Sequence, residues 1–307
     1  PTMRAIPEGA VFSAEQAYSL GWTQSALRHA VVRGRLLRLR RGFYAVADAA
    51  TPEIAARAVA ANYPAGVVSH RSAALLQGIP IVGALPAVPE ITVPPGSNTN
   101  LSGVHVHRAQ LRRHDRRLIG GTAVTSPART LVDLGRSRPV RTAVAALDAA
   151  LRSGAVREHE LVDVLQFCWN WPGIRRAQRA VDAADALAES PLESISRLAI
   201  HDLGLPKPAL QVTLLDQFHR FAARADFYWD EFGVVGEADG GSKYDSRPVL
   251  TAEKERQERL EELGLVVARW GWREPTRTPG VLGRRLELAF ERGRLRDRSG
   301  FPRLWSC

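Results

Sequence analysis

Residues 12–46 read FSAEQAYSLGWTQSALRHAVVRGRLLRLRRGFYAV, and this stretch decides how the N-terminal part of the chain folds. Ser13 followed by Gln16 has the spacing of a capping box: the serine accepts the amide three residues on and the glutamine reaches back. A short helix to about Ser19 is expected, then a tight turn at Leu20-Gly21-Trp22. Thr23 caps a second helix, which runs to Arg33 and stops at Gly34. Leu36 to Arg40 and Phe43 to Val46 predict two short strands joined through Arg41-Gly42. Helix, turn, helix and hairpin is the order of a winged helix-turn-helix, expected over residues 1–50.

The charge of this segment gives the module a direction. From Arg28 to Arg41 there are six arginines, one histidine and no acid. Arg28 and His29 fall on the second helix, Arg33 and Arg35 at its end, and Arg38, Arg40 and Arg41 on the hairpin. A recognition helix needs donors for base edges and a wing needs donors for phosphates, so DNA is the expected partner.

Composition agrees with that partner. The chain has 307 residues, a net charge of +10 and a pI near 10.5, a balance that favours polyanions. Lys207, Lys243 and Lys254 are the only lysines, so thirty-nine of the 42 basic residues are arginine, the better fork for phosphate and guanine. Apolar content of 45% is enough for two or three cores. Two cysteines, Cys168 and Cys307, build neither a disulfide framework nor a zinc knuckle. The lack of an apolar signal core or membrane-length stretch predicts a cytoplasmic protein with no membrane partner.

Residues 51–188 are expected to form a mostly helical middle domain. Thr51-Pro52 opens a helix, Ser69 to Gln77 forms another, and Ser126-Pro127 opens a third. Further helices are predicted near 140–153, 157–168 and 174–187, with extended stretches at Glu90 to Val93 and Val104 to His107. His105 and His107 share a face of their strand, a metal pair for which the sequence offers no third ligand. His70 and Arg71 stand at a helix start, where they either tie the helix to its neighbours or contact a partner.

Phe12-Ser13 through Tyr44-Ala45, with the run Arg40-Arg41-Gly42-Phe43-Tyr44, resembles the winged helix of AbiEi-like antitoxins of type IV toxin–antitoxin systems. Val68-Ser69-His70-Arg71-Ser72-Ala73-Ala74 and Thr125-Ser126-Pro127-Ala128-Arg129-Thr130 resemble the second domain of the same proteins. The resemblance covers residues 1 to about 150. It implies a middle α/β domain, DNA binding and a cognate toxin as a second partner; it does not imply catalysis.

Residues 189–307 change character. Ser190-Pro191-Leu192-Glu193 caps a helix ending near Gly204, followed by an antiparallel meander of Leu210 to Leu215, Phe221 to Trp229 and Val234 to Asp239. A helix capped by Thr251, a strand from Leu265 to Trp270 and a last helix from Leu282 complete an α/β sandwich. If residues 230–233 form the loop, Trp229 pairs with Val234 and Asp226 falls opposite Glu237, with Asp239 on the face of Glu237. Three carboxylates on one patch repel one another and call for a hard divalent cation, Mg²⁺ or Mn²⁺, with Asp226, Glu237 and Asp239 as ligands. The alternative is a register slip or acids that face solvent on an edge hairpin. Glu193 is either a fourth acid or the end of a helix cap, and Lys243 stands four residues past Asp239.

Helix glutamate, strand aspartate and Glu-x-Asp-Gly in this order resemble the PD-(D/E)XK nuclease superfamily, and more closely the very-short-patch-repair endonuclease-like domains. Gln211, Arg256, Arg259 and the strand Val266 to Trp270 fit the same pattern. The resemblance implies a restriction-endonuclease-like fold in which Asp226 and Glu237 hold metal and Asp239 assists. Lys243 departs from it, since the family carries histidine there. No phosphate-binding Gly-rich loop, nucleophile elbow or Cys/His cluster competes, and Asp239-Gly240-Gly241-Ser242 is too short for a dinucleotide loop. The expected whole is an α+β multidomain protein, with Mg²⁺-dependent DNA hydrolysis as the first reading. The second is an antitoxin-like transcriptional regulator with an inactive nuclease-like domain.

Overall fold

Ser13 ends the first strand and starts the first helix. Its Oγ accepts Gln16 N at 3.1 Å, while Gln16 Oε1 accepts Ser13 N at 2.7 Å, so two otherwise orphaned amides are satisfied at once. The computed structural model describes residues 11–40, 42–46, 51–216, 218–240 and 256–296. These fall into two compact units, Pro1–Arg138 with Ala155–Gln178, and Pro139–Gly154 with Arg179–Cys307.

The first unit opens with β1 (Val11–Ser13), α1 (Ala14–Ser19), α2 (Gln24–Val32), β2 (Leu36–Arg40) and β3 (Phe43–Val46). Thr23 Oγ1 caps α2 through Ala26 N at 3.2 Å, and Gly34, at φ 67°, turns the chain out of it. The helices and the hairpin follow the expected boundaries within a residue or two. The sequence reading did not include β1, which pairs antiparallel with β3 and makes a three-stranded sheet in the order β1-β3-β2. Phe12, Ala17, Leu27, Ala30 and Leu36 form its core.

The remainder of this unit is built on a sheet, where the sequence suggested mostly helices. Its elements are α3 (Pro52–Asn62), β4 (Val67–Val68), α4 (His70–Leu76), β5 (Glu90–Val93) and β6 (His105–Arg108). Then come β7 (Arg116–Ile119), β8 (Thr122–Thr125), α5 (Pro127–Ser137), α7 (Glu158–Phe167) and the start of α8 (Ile174–Asp182), whose residues from Arg179 on belong to the second unit. The sheet order is β6-β5-β4-β8-β7, with parallel β4/β8 and β5/β6 pairs. The Thr125-to-Thr130 motif serves this architecture. Ser126 caps α5, and Arg129, fully buried, donates to Asp133 at 2.8 Å and to Gln110 O at 3.0 Å. A Cβ at Gly135 would meet Ala177 Cα at 2.9 Å, so only glycine permits this approach of α5 to the helix beginning at Ile174.

The second unit contains α6 (Val140–Arg152), α9 (Pro191–Asp202), β9 (Ala209–Leu215), β10 (Phe221–Trp229) and β11 (Val234–Ala238). It continues with a helix α10 over residues 256–262, β12 (Val266–Trp270), α11 (Arg273–Arg277) and α12 (Pro279–Arg294). The antiparallel meander β9-β10-β11 is as expected, and β12 joins it parallel to β11. One face packs Phe227, Trp229, Val234 and Trp270 against α9 and α12; the other packs Val212, Tyr228 and Val235 against Leu260 of α10. Gly236 lies where a Cβ would sit 2.6 Å from the Trp270 ring. Among the described residues no helix is long and apolar enough to cross a membrane.

Candidate nucleic-acid interface and carboxylate cluster

The periodicity of α2 sorts its side chains. Leu27 and Ala30 turn into the core, which leaves Arg28, His29, Val32 and Arg33 exposed along the opposite face. Arg35 and Arg38, leading into and along β2, are exposed too. The helix therefore presents a short apolar side chain, Val32 at 78% exposure, among basic ones. Arg41 lies outside the described residues, as does the side chain of Arg40.

In the second unit the register is the one the loop length predicts, from Trp229↔Val234 to Phe227↔Gly236. The acids nevertheless separate. Ala225 and its partner Val212 pack on the α10 face, whereas Phe227 and its partner Leu210 pack on the α9/α12 face. Residues two apart on a regular strand share a face. The exchange occurs at Asp226 and Gln211, and Gln211 sits in the left-handed region at φ 53°. Asp226 there accepts Ala238 N at 3.0 Å and Gln211 Nε2 at 3.5 Å; the same Gln211 amide donates to Glu193 at 2.7 Å. Burial, reinforced by the Glu193 charge, pushes the Asp226 carboxyl above the usual carboxylate range.

Glu237 has different company. Arg269, its partner on β12, donates Nε to Oε2 at 2.6 Å, and Arg256 of α10 brings Nη1 to 2.7 Å from Oε1. Two guanidinium groups thus supply the counter-charge that the sequence reading assigned to a cation. Asp239 continues past β11, with its N–H donating to Trp270 O at 2.9 Å. The structure brings Asp226 and Glu193 together but does not gather Asp226, Glu237 and Asp239 within metal-ligand distance of one another. As placed, this set does not fit Mg²⁺. Lys243 lies outside the described residues.

Among the described residues, one other group does gather. His70, Glu90 and His107 present ligand atoms all within 4.8 Å of one another. His107 was visible as half of a histidine pair; Glu90 carried no signal beyond its place at the start of a strand. Burial pushes the His70 imidazole down to about 4. Burial works to raise the Glu90 carboxyl, but hydrogen bonds from His107 and Arg71 outweigh it and hold it at about 2.

Residues 7–47 match the family model described as transcriptional regulator, AbiEi antitoxin. Two mycobacterial relatives are 31% identical to the chain over 193 residues, covering 63% of it and 70% of their own length. They are the uncharacterized proteins Rv2248 of Mycobacterium tuberculosis (strain ATCC 25618 / H37Rv) and MT2308 of Mycobacterium tuberculosis (strain CDC 1551 / Oshkosh). The chain belongs to their family. Within this family member, β1 to β3 with α1 and α2 are the AbiEi-type antitoxin/transcriptional-regulator domain. A crystal structure of the RV2827C protein from Mycobacterium tuberculosis aligns over 67% of the chain and 80% of its own, with 18% identity and a TM-score of 0.42.

Proposed function

We propose that this protein is a DNA-binding transcriptional regulator of the AbiEi antitoxin kind. Its α2 would enter the major groove, and the β2–β3 hairpin would follow the phosphates. The observation that carries the reading is the outward face of α2, where Arg28, His29, Val32 and Arg33 are exposed on a helix whose other face is locked into the core. The family match over the same residues supports it. The partners on this reading are operator DNA and a cognate toxin. Binding of the full chain to DNA upstream of its own gene, followed by fluorescence anisotropy against a scrambled duplex at several salt concentrations, tests it. Equal affinity for both duplexes would defeat the regulator reading.

A second reading, DNA hydrolysis assisted by Mg²⁺ or Mn²⁺, draws on half-buried Asp226, buried Glu193 and the left-handed Gln211 that bonds to both. Backbone strain of this kind concentrates at functional sites. The restriction-endonuclease-like reading of residues 189–307 rests on the order of helix, three-stranded meander, helix and parallel strand. Glu237 would first have to release Arg256 and Arg269, which is why regulation comes first. Incubation with plasmid, single-stranded and mismatched DNA, with and without Mg²⁺ or Mn²⁺, separates the two readings. Cleavage that Asp226→Asn abolishes supports the enzyme; no cleavage by the wild type leaves the regulator.

A further inference from the structure

We propose that His70, Glu90 and His107 form a binding site for a first-row transition ion of the Zn²⁺ class. The three residues come from α4, β5 and β6, and the sheet brings them together. Two imidazoles and one carboxylate are a recurrent donor set for such ions, whereas Mg²⁺ and Ca²⁺ prefer oxygen alone. Their ligand atoms already lie within 4.8 Å of one another, with Glu90 Oε2 3.3 Å from His107 Nε2. In a tetrahedral zinc site, neighbouring ligand atoms stand about 3.3 Å apart. Small side-chain rotations therefore close the set.

The surroundings read as a prepared site rather than as filler. His70 is buried and occupies the left-handed region at φ 52°, a conformation that strains a non-glycine residue. Ser69 Oγ lies 3.0 Å from His70 Nδ1, so it can fix the ring and leave Nε2 as the donor, the usual service of a residue behind a metal-bound histidine. The His70 and His107 rings stack at 3.5 Å between centroids, and the exposed His105 lies 4.3 Å from His107. Arg71, at 2.7 Å, and Arg138, at 3.4 Å, hold Glu90 Oε1, which leaves Oε2 turned toward the imidazoles.

The site is independent of the Asp226 region, so its test uses a different ion and a readout other than catalysis. Tag-free, full-length protein is dialysed against Zn²⁺, its metal content is measured, and its melting is followed with and without Zn²⁺; Co²⁺ serves as an optical probe and Mg²⁺ as the hard-ion comparison. We expect one Zn²⁺ per chain, a Zn²⁺-dependent rise in Tm, Co²⁺ bands of low coordination number, and no response to Mg²⁺. His107→Ala and His107→Gln, each confirmed as folded by its metal-free melting curve, should weaken Zn²⁺ binding at least tenfold. A wild type that retains no stoichiometric ion and shows no Zn²⁺ shift would overturn the proposal. So would undiminished binding in both folded variants.

Discussion

Asp226 and Glu237 lie just past the last paired residues of β10 and β11, Phe227 and Gly236, yet their surroundings oppose each other. Glu237 is closed over by Arg256 and Arg269, whose side chains are 26% and 31% exposed. Glu237→Gln leaves two half-buried guanidinium groups short of a counter-charge, and we expect a loss of about 2 kcal/mol, read as a lower denaturant midpoint at unchanged slope. Asp226 instead shares its pocket with Glu193, and Asp226→Asn should melt at or above the wild-type temperature. A carboxyl whose folded pKa is raised contributes stability at low pH that is lost as pH rises through that value. The advantage of Asp226→Asn should therefore grow between acid and neutral pH. Were Glu237→Gln the more stable of the two, the arginine clamp would not be holding that acid. Cys168 offers a second residue-scale check. It is fully buried, and burial pushes its thiol up to about 11 from 9.0. In a Cys307→Ser background, thiol reagents at pH 8 should react only as fast as the protein unfolds. The stability tied to this thiol is present below pH 9 and is lost as pH climbs towards 11, a slope that Cys168→Ala should flatten. Rapid stoichiometric labelling of the folded protein would contradict this.

At the level of elements, the proposed function divides the work of binding between α2 and the hairpin. Arg38 lies on β2, where a contact to phosphate carries affinity without sequence information. Arg38→Ala should weaken specific and scrambled duplexes alike and lower the salt slope by roughly one. Val32, apolar and exposed on α2, is suited to a thymine methyl. Val32→Ser should weaken the specific duplex and spare the scrambled one; equal losses on both would remove α2 from base reading. These elements were legible because their signals are local. Ser13 with Gln16 and Thr23 fix helix starts through side chains that meet amides three residues on, Gly34 turns the chain out of α2 at φ 67°, and the four-residue loop after Trp229 fixes a register. The five-stranded sheet was harder to see. Val67–Val68 is only two residues long, and β7 and β8 join through Gly120 and Gly121, so none gives a sustained alternation. The carboxylates separate for a related reason. The register from Trp229 to Phe227 is the expected one, but Gln211 at positive φ exchanges the faces beside Asp226, and no spacing rule anticipates that. The histidine site needed Glu90, twenty residues from His70, and only the sheet brings the two together.

Over the whole molecule, chain order and packing order diverge. The sequence suggested domains at 1–50, 51–188 and 189–307, which places α6 in the middle stretch. In the structure α6 groups with residues 179–307, and four of its side chains show why. Asp148 accepts Arg197 Nη2 at 3.1 Å and Asp185 N at 2.8 Å. Arg141 reaches Asp202 at 2.6 Å and Pro275 O at 3.1 Å; Arg152 reaches Glu189 O at 3.0 Å; Leu147 is fully buried. A fragment that starts at Ser190 deprives Arg197, 14% exposed, of its carboxylate and of the Ala183 carbonyl, a loss of about 3 kcal/mol before any apolar area is counted. It also strips α9 of the helix packed along it. A fragment that starts at Pro139 keeps both. The longer fragment should unfold cooperatively with a defined midpoint, while the shorter one should retain secondary structure, bind a hydrophobic dye and melt without a sharp transition. The comparison is internal, because both fragments contain the entire sheet. If the fragment from Ser190 melts as sharply and as high as the fragment from Pro139, α6 is an appendage of that unit rather than part of its core.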